Sequence, residues 1–106
     1  LLVGNTLYVV SNTNDLLAVN KENGDILWAV PVNLGKKPAD VMIFNPIMLD
    51  GRLIVALSNG TVYAYMPQTG KLLNTVDLDE KLNSAPIAAA GYVFFVTAGA
   101  DLIAYK

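Results

Sequence analysis

Apolar positions along this chain fall in short runs rich in Val, Ile, Leu and aromatic residues, each bounded by Gly, Asn, Asp or Pro. That is the pattern of strands joined by tight turns, not of helices. The clearest stretch predicts strands over Ile47–Leu49, Arg52–Ser58, Thr61–Tyr65 and Lys71–Asp77. Asp50-Gly51 and Asn59-Gly60 predict two-residue hairpins, because Asn, Asp and Gly accept the positive φ that a type I′ turn demands. Pro67-Gln68-Thr69-Gly70 makes the third connection. The same alternation predicts Leu1–Val3, Thr6–Ser11, Asp15–Asn20 and Ile26–Val32 before this unit. After it come Pro86–Ala89, Tyr92–Thr97 and Leu102–Lys106.

These runs are copies of one unit. Gly4, Gly51 and Gly91 open the copies and Ala18, Ala64 and Ala104 recur inside them, at spacings of roughly 40–50 residues typical of a repeat that cannot bury its faces alone. Four strands in roughly 40 residues have the size of a propeller blade. The expected fold class is therefore all-β: a β-propeller fragment of about two and three-quarter four-stranded antiparallel blades. It divides into an incomplete blade over 1–32, an inter-blade loop over 33–45, a blade over 46–77 and a last blade over 86–106 without its outer strand. Propellers often close by building one blade from both ends of the chain, which protects strand edges. On that reading Lys106 is a native C-terminus and Leu1 lies inside a blade. The rest of the propeller, or self-association, is then needed to close the ring.

Composition narrows the chemistry. Seven basic and nine acidic residues give a net charge of −2, so no basic stripe collects phosphates and no nucleic-acid partner is expected. The chain has neither His nor Cys, which removes the usual imidazole base, thiol nucleophiles and Cys/His metal sites. Ser11, Ser58 and Ser84 have no His to activate them. Residues Leu82 to Ala100 carry no charge, but Pro86, Gly91 and Gly99 interrupt them. They read as strands and turns, not as a transmembrane span. Asn12, Asn14 and Asp15, and likewise Asp77, Asp79 and Glu80, lack the spacing of a calcium loop and read as strand-ending turns. Asn59-Gly60-Thr61 matches a glycosylation sequon but reads as the hairpin turn. No catalytic residue, metal ligand or cofactor is expected. Trp28, Tyr63, Tyr65, Tyr92, Phe94 and Phe95 are expected to pack between blades.

The link Asn33–Asn45 is the longest connection and holds Lys36, Lys37 and Pro38, followed by Val41, Met42, Ile43 and Phe44. Long loops on rigid scaffolds carry binding function. Lys36, Lys37 and Asp40 are candidate rim charges for a protein partner, with Met42 and Phe44 as apolar anchors if exposed. The plainer alternative is that Val41–Phe44 begin the inner strand of the next blade.

Two stretches carry a resemblance. A-x-N-x-x-N-G-x-x-x-W at Ala18–Trp28 and A-x-x-x-x-T-G at Ala64–Gly70 resemble the A-x-D-x-x-T-G-x-x-x-W repeat of the pyrroloquinoline-quinone-like propellers. In that repeat Asp and Thr fix the turn, the Gly takes a left-handed conformation and the Trp packs between blades. Here Asn20 and Asn23 replace Asp and Thr, and Asn74 stands where the second Trp would. The order of a long loop, N-P-I-x-x-x-G-R-L-I-V-A-x-S-N-G, S-A-P-I-x-x-x-G-Y-V and a final L-I-A-Y-K is similar to the C-terminal third of BamB-type lipoproteins of the outer-membrane β-barrel assembly machinery. The resemblance implies an eight-bladed parent, a non-catalytic scaffold on the periplasmic face of the outer membrane, and a lipid anchor outside this chain. It also implies docking onto the periplasmic domains of the central barrel-inserting subunit. The alternatives are a fragment of a quinone-dependent oxidoreductase, which would hold its quinone and Ca²⁺ on the same blades, and a generic adaptor propeller.

Overall fold

The computed structural model describes residues 1–36, 38–99 and 101–105, of Tyr105 the backbone alone. The strands are β1 (Leu2–Val3), β2 (Thr6–Val10), β3 (Asp15–Asn20), β4 (Ile26–Pro31), β5 (Ile47–Leu49), β6 (Arg52–Ala56), β7 (Thr61–Tyr65), β8 (Leu72–Asp77), β9 (Ile87–Ala89), β10 (Tyr92–Val96) and β11 (Leu102–Tyr105). They form three antiparallel meanders, β1-β2-β3-β4, β5-β6-β7-β8 and β9-β10-β11, in which neighbours in sequence are neighbours in space. Among the described residues these are two four-stranded blades and one of three strands. The expected blades are present, and the strand ends differ from the sequence reading by one or two residues.

Equivalent residues follow from the register. Tyr8 pairs with Ala18 and Ala18 with Trp28 across the first blade. Ile47, Ile54, Ala64 and Asn74 form the corresponding row in the second, and Ile87, Phe94 and Ala104 in the third. A bulge recurs after the shared alanine, between Ala18 and Val19 and between Ala64 and Tyr65. Period-two alternation sends successive side chains to opposite faces of each blade, and both faces of the middle blade are covered. Leu53, Val55, Leu57, Tyr63 and Tyr65 pack with Tyr8, Leu16 and Ala18 of the first blade. Ile54, Ala56 and Val62 pack with Val93 and Phe95 of the third. The middle blade is thus buried on both sides, which is why Arg52–Tyr65 is the most apolar and least alternating stretch of the chain.

One turn departs from the sequence reading. Asp50 and Gly51 both have positive φ (50° and 73°), the two-residue type I′ arrangement. In Asn59-Gly60 only the glycine is left-handed, with φ 96°. The Gly60 N–H donates to Leu57 O, the Leu57 N–H to Thr61 O, and the Thr61 N–H to Asn59 Oδ1. The connection is therefore a three-residue loop ending in a glycine bulge, and Asn59 serves through its side chain rather than its backbone. Gly60 is needed for a second reason: a Cβ there would collide with the backbone carbonyl oxygen of Glu80.

Candidate protein-interaction rim

The turns segregate to two rims. Connections between second and third strands, and the links between blades, share one rim, stitched by backbone hydrogen bonds. Val32 N–H donates to Asn14 O, Ser58 N–H to Met42 O, Leu78 N–H to Gly60 O, Leu82 N–H to Ser58 O and Ala98 N–H to Lys81 O. The opposite rim holds the first-to-second and third-to-fourth turns, where Lys21 N–H donates to Asn5 O.

The long link lies on the first rim, and half of it is structural. Val32 and Leu34 are buried in the first inter-blade core. Between them Asn33 O accepts the Tyr63 hydroxyl at 2.7 Å, and its Oδ1 accepts the Gly35 N–H at 2.9 Å. Past the short 3-10 turn Pro38–Asp40, the chain runs along the end of β6. Ile43 bridges Leu57, the Phe44 N–H donates to Ala56 O, and the Met42 N–H donates to Ser58 Oγ at 2.8 Å. The plainer reading of Val41–Phe44 thus describes the backbone: these residues extend the inner edge of the second blade.

This extended backbone sorts the candidate residues. Val41 and Ile43 turn into the first inter-blade core and Phe44 into the second, where it is half-buried. Met42 stays 62% exposed. Lys36 and Asp40 are exposed; Lys37 lies outside the described residues. Asp40 and Met42, with Val10, Ser11 and Asn14 of the first blade, line a wide shallow depression. Sequence reasoning missed Ser58 and Tyr63, which fix the link from the second blade. Ser58 was legible only as the end of a strand and Tyr63 only as inter-blade packing. Burial raises the pKa of the Tyr63 phenol. The Tyr65 phenol is pushed up to about 12 by burial and by the neighbouring Tyr63.

The polar turns hold themselves together. Asn20 Oδ1 accepts the Glu22 N–H and Asn23 Oδ1 the Asp25 N–H, so the two asparagines keep the turn-fixing role in the first blade. Asp15 Oδ2 accepts the Thr13 hydroxyl, and Asp77 Oδ1 the Asp79 N–H. Among the described residues no three carboxylates gather in a cluster that could hold a metal ion, and no helix is long and apolar enough to cross a membrane.

At the seam between the first two blades, the Trp28 indole N–H donates to Pro67 O at 2.9 Å, and the Tyr8 hydroxyl reaches the same oxygen at 3.4 Å. The indole lies against Gly70, φ 78°. Trp28 thus packs between blades as the resemblance implies, and it does so against the left-handed glycine of the next blade. At the second seam Asn74 occupies the tryptophan position, beside a small pocket floored by Ile54, Val62, Ala64 and Phe95.

A family model described as outer membrane protein assembly factor BamB matches residues 36–106. The outer membrane protein assembly factor BamB of Moranella endobia (strain PCIT) is 31% identical over 94 residues, which span 84% of this chain and 23% of that protein. Among solved structures, BamB from Moraxella catarrhalis superposes with a TM-score of 0.79 at 17% identity, over 99% of this chain and 30% of that one. The computationally designed Ika8 protein gives 0.77 at 12% identity, over the whole of this chain and 31% of its own. For the designed Ika4 protein the values are 0.78 and 12%, over the whole of this chain and 62% of its own. At these identities the structural likeness establishes the fold, and the chain spans less than a third of the BamB proteins it matches. With two thirds of its length covered by the family model and its blades superposing on those of a BamB structure, the chain belongs to the outer membrane protein assembly factor BamB family.

Proposed function

We propose that this chain is part of a non-catalytic scaffold in outer membrane protein assembly, working at the periplasmic face of the outer membrane and held there by a lipid anchor outside these residues. The observation that carries the reading is the family match over 36–106. The rim geometry supports it. Three blades hold their turns and links in one stitched surface, so a partner meets a preformed platform and ordering costs little on binding. The partner we assign is the periplasmic portion of the barrel-inserting subunit, with the link as the contact: Lys36, Lys37 and Asp40 supply rim charges and Met42 the apolar anchor. Phe44 acts from behind, wedging the link against the second inter-blade core.

The test is a binding titration of the whole parent protein against the isolated periplasmic domains of the barrel-inserting subunit, at low and at physiological salt. Lys36→Glu with Lys37→Glu is expected to weaken binding at least tenfold at low salt and less at physiological salt, as screening predicts. Met42→Ala is expected to weaken binding by about tenfold, the size of an anchor residue's contribution. Unchanged affinity in both variants would overturn the link as the contact.

A further inference from the structure

The chain carries three methionines, Met42, Met48 and Met66, and no cysteine. Peroxides oxidise a thioether to the sulfoxide, which turns a flexible apolar side chain into a polar, chiral one. No thiol in this chain competes for the oxidant. The fold treats the three methionines differently. Met48, on β5, packs against the first inter-blade core. Met66 is half-buried in the turn after β7, where its N–H donates to Lys71 O and its carbonyl accepts the Gly70 N–H. Met42 is 62% exposed.

The backbone enforces that exposure. The Met42 N–H donates to Ser58 Oγ at 2.8 Å, and its carbonyl accepts the Ser58 N–H at 2.8 Å. Both polar groups of Met42 are therefore tied to the end of the second blade. Val41 and Ile43 on either side turn into the first inter-blade core, so period-two alternation points the Met42 side chain outward. There it borders the shallow depression shared with Val10, Ser11 and Asp40. The two blades flanking the link are both four-stranded and already packed on each other. Met42 is thus open at a seam that is closed within the chain.

We propose that Met42 is a site of reversible oxidation that switches the rim between a binding and a weakened state. The Met42 sulfur gives an electron pair to one oxygen of hydrogen peroxide. The O–O bond breaks, the S–O bond forms, and the second oxygen leaves as water with both protons. Sulfur loses two electrons and the peroxide gains them; a methionine sulfoxide reductase reverses the change. The new oxygen is a hydrogen-bond acceptor at the apolar anchor, and covering it with a partner surface that offers no donor costs affinity. The switch rests on Met42 as the anchor of the contact proposed above, whereas the selective oxidation of Met42 does not.

The test treats the whole parent protein with hydrogen peroxide and follows the three methionines by peptide mass spectrometry. In the folded protein Met42 is expected to convert about tenfold faster than Met48 or Met66, and in urea the three rates should converge. Met48 or Met66 converting as fast as Met42 in the folded protein would overturn the site. The oxidised protein is then titrated against the periplasmic domains of the barrel-inserting subunit, beside a Met42→Leu variant given the same treatment. Wild-type affinity is expected to fall about tenfold and to return after methionine sulfoxide reductase with a thiol reductant. Met42→Leu should bind equally before and after peroxide; an equal loss in wild type and variant would overturn the switch. So would a wild-type affinity that oxidation leaves unchanged. In that event Met42→Ala separates the two readings. If it weakens binding, the anchor stands and the switch alone fails; if it does not, the anchor fails as well.

Discussion

Replacing Gly70 by Ala would place a methyl carbon 2.6 Å from Cε3, 2.9 Å from Cδ2 and 3.0 Å from Cζ3 of Trp28. The indole has little room to withdraw. Its N–H is held by Pro67 O at 2.9 Å, and the Tyr8 ring stands 6.2 Å away, centroid to centroid, on a side chain only 7% exposed. The left-handed backbone at φ 78° adds about 1–2 kcal/mol for any residue with a Cβ, and forcing a methyl into a packed contact adds about 1–3 kcal/mol. The narrower unfolded ensemble of Ala offsets about 0.4–1 kcal/mol. The net loss is about 1–5 kcal/mol.

Gly24 supplies the control. It occupies the same place in the first blade with φ 77°, and a Cβ there meets nothing within 4 Å. Gly24→Ala carries the backbone penalty without the collision, a loss of about 1 kcal/mol. Trp28 is the single tryptophan of the chain, so its fluorescence in a urea titration reports this seam directly. With a urea slope of ~1–3 kcal/mol per molar, the collision term of about 1–3 kcal/mol should move the Gly70→Ala midpoint roughly 1 M below that of Gly24→Ala. In a Trp28→Ala background, followed by circular dichroism, Gly70→Ala should do no more harm than Gly24→Ala, since the clashing ring is gone. Equal midpoints for the two alanine variants in the wild-type background would refute the argument that the indole, rather than the backbone angle, demands glycine at position 70.

Gly60→Ala combines φ 96° with a collision against the Glu80 backbone carbonyl. Backbone yields less than a side chain, so a loss of about 3 kcal/mol or more is expected in the same titration. Ser58→Ala removes the acceptor of the Met42 N–H. It should lower stability by about 1 kcal/mol and speed amide exchange at Met42 while leaving Tyr63, at the next strand, protected. The raised Tyr63 and Tyr65 phenols make the fold alkali-sensitive. The unfolded phenol ionises near pH 10 and the folded Tyr65 only near 12, so the unfolded state binds fewer protons between those values and stability falls as pH rises from 10 to 12. Below pH 10 the contribution is constant. Tyr65→Phe should flatten the decline of the urea midpoint across that window, and an unchanged decline would show that Tyr65 does not drive it.

The blades were legible because their punctuation is local. Asp50-Gly51 announces its own geometry, and each run between such turns is long enough for one strand only. Asn59-Gly60 shows the limit: the same kind of dipeptide serves a two-residue hairpin or a three-residue loop with a glycine bulge. Gly60 passing over Glu80 depends on a residue from the next link, which no local pattern encodes. The rim was less legible for a related reason. Val41–Phe44 is uniformly apolar, and alternation says only that Met42 and Phe44 share a side of the chain. Phe44 packs while Met42 stays open because the link leaves the edge of the blade between them, with Ser58 Oγ holding the Met42 N–H at the point of departure. The tryptophan position makes the same point about sequence decay. Trp28 is useful only because Pro67 O and Gly70 of the next blade receive it, so the lock is a property of two adjacent blades. At the second seam Asn74 stands in place of the indole, and cohesion rests on an aliphatic and aromatic cluster of Ile54, Ala56, Val62, Leu82, Val93 and Phe95. The two seams of this array therefore differ in strength, and the third blade should open first under denaturant, before the signal of Trp28 changes.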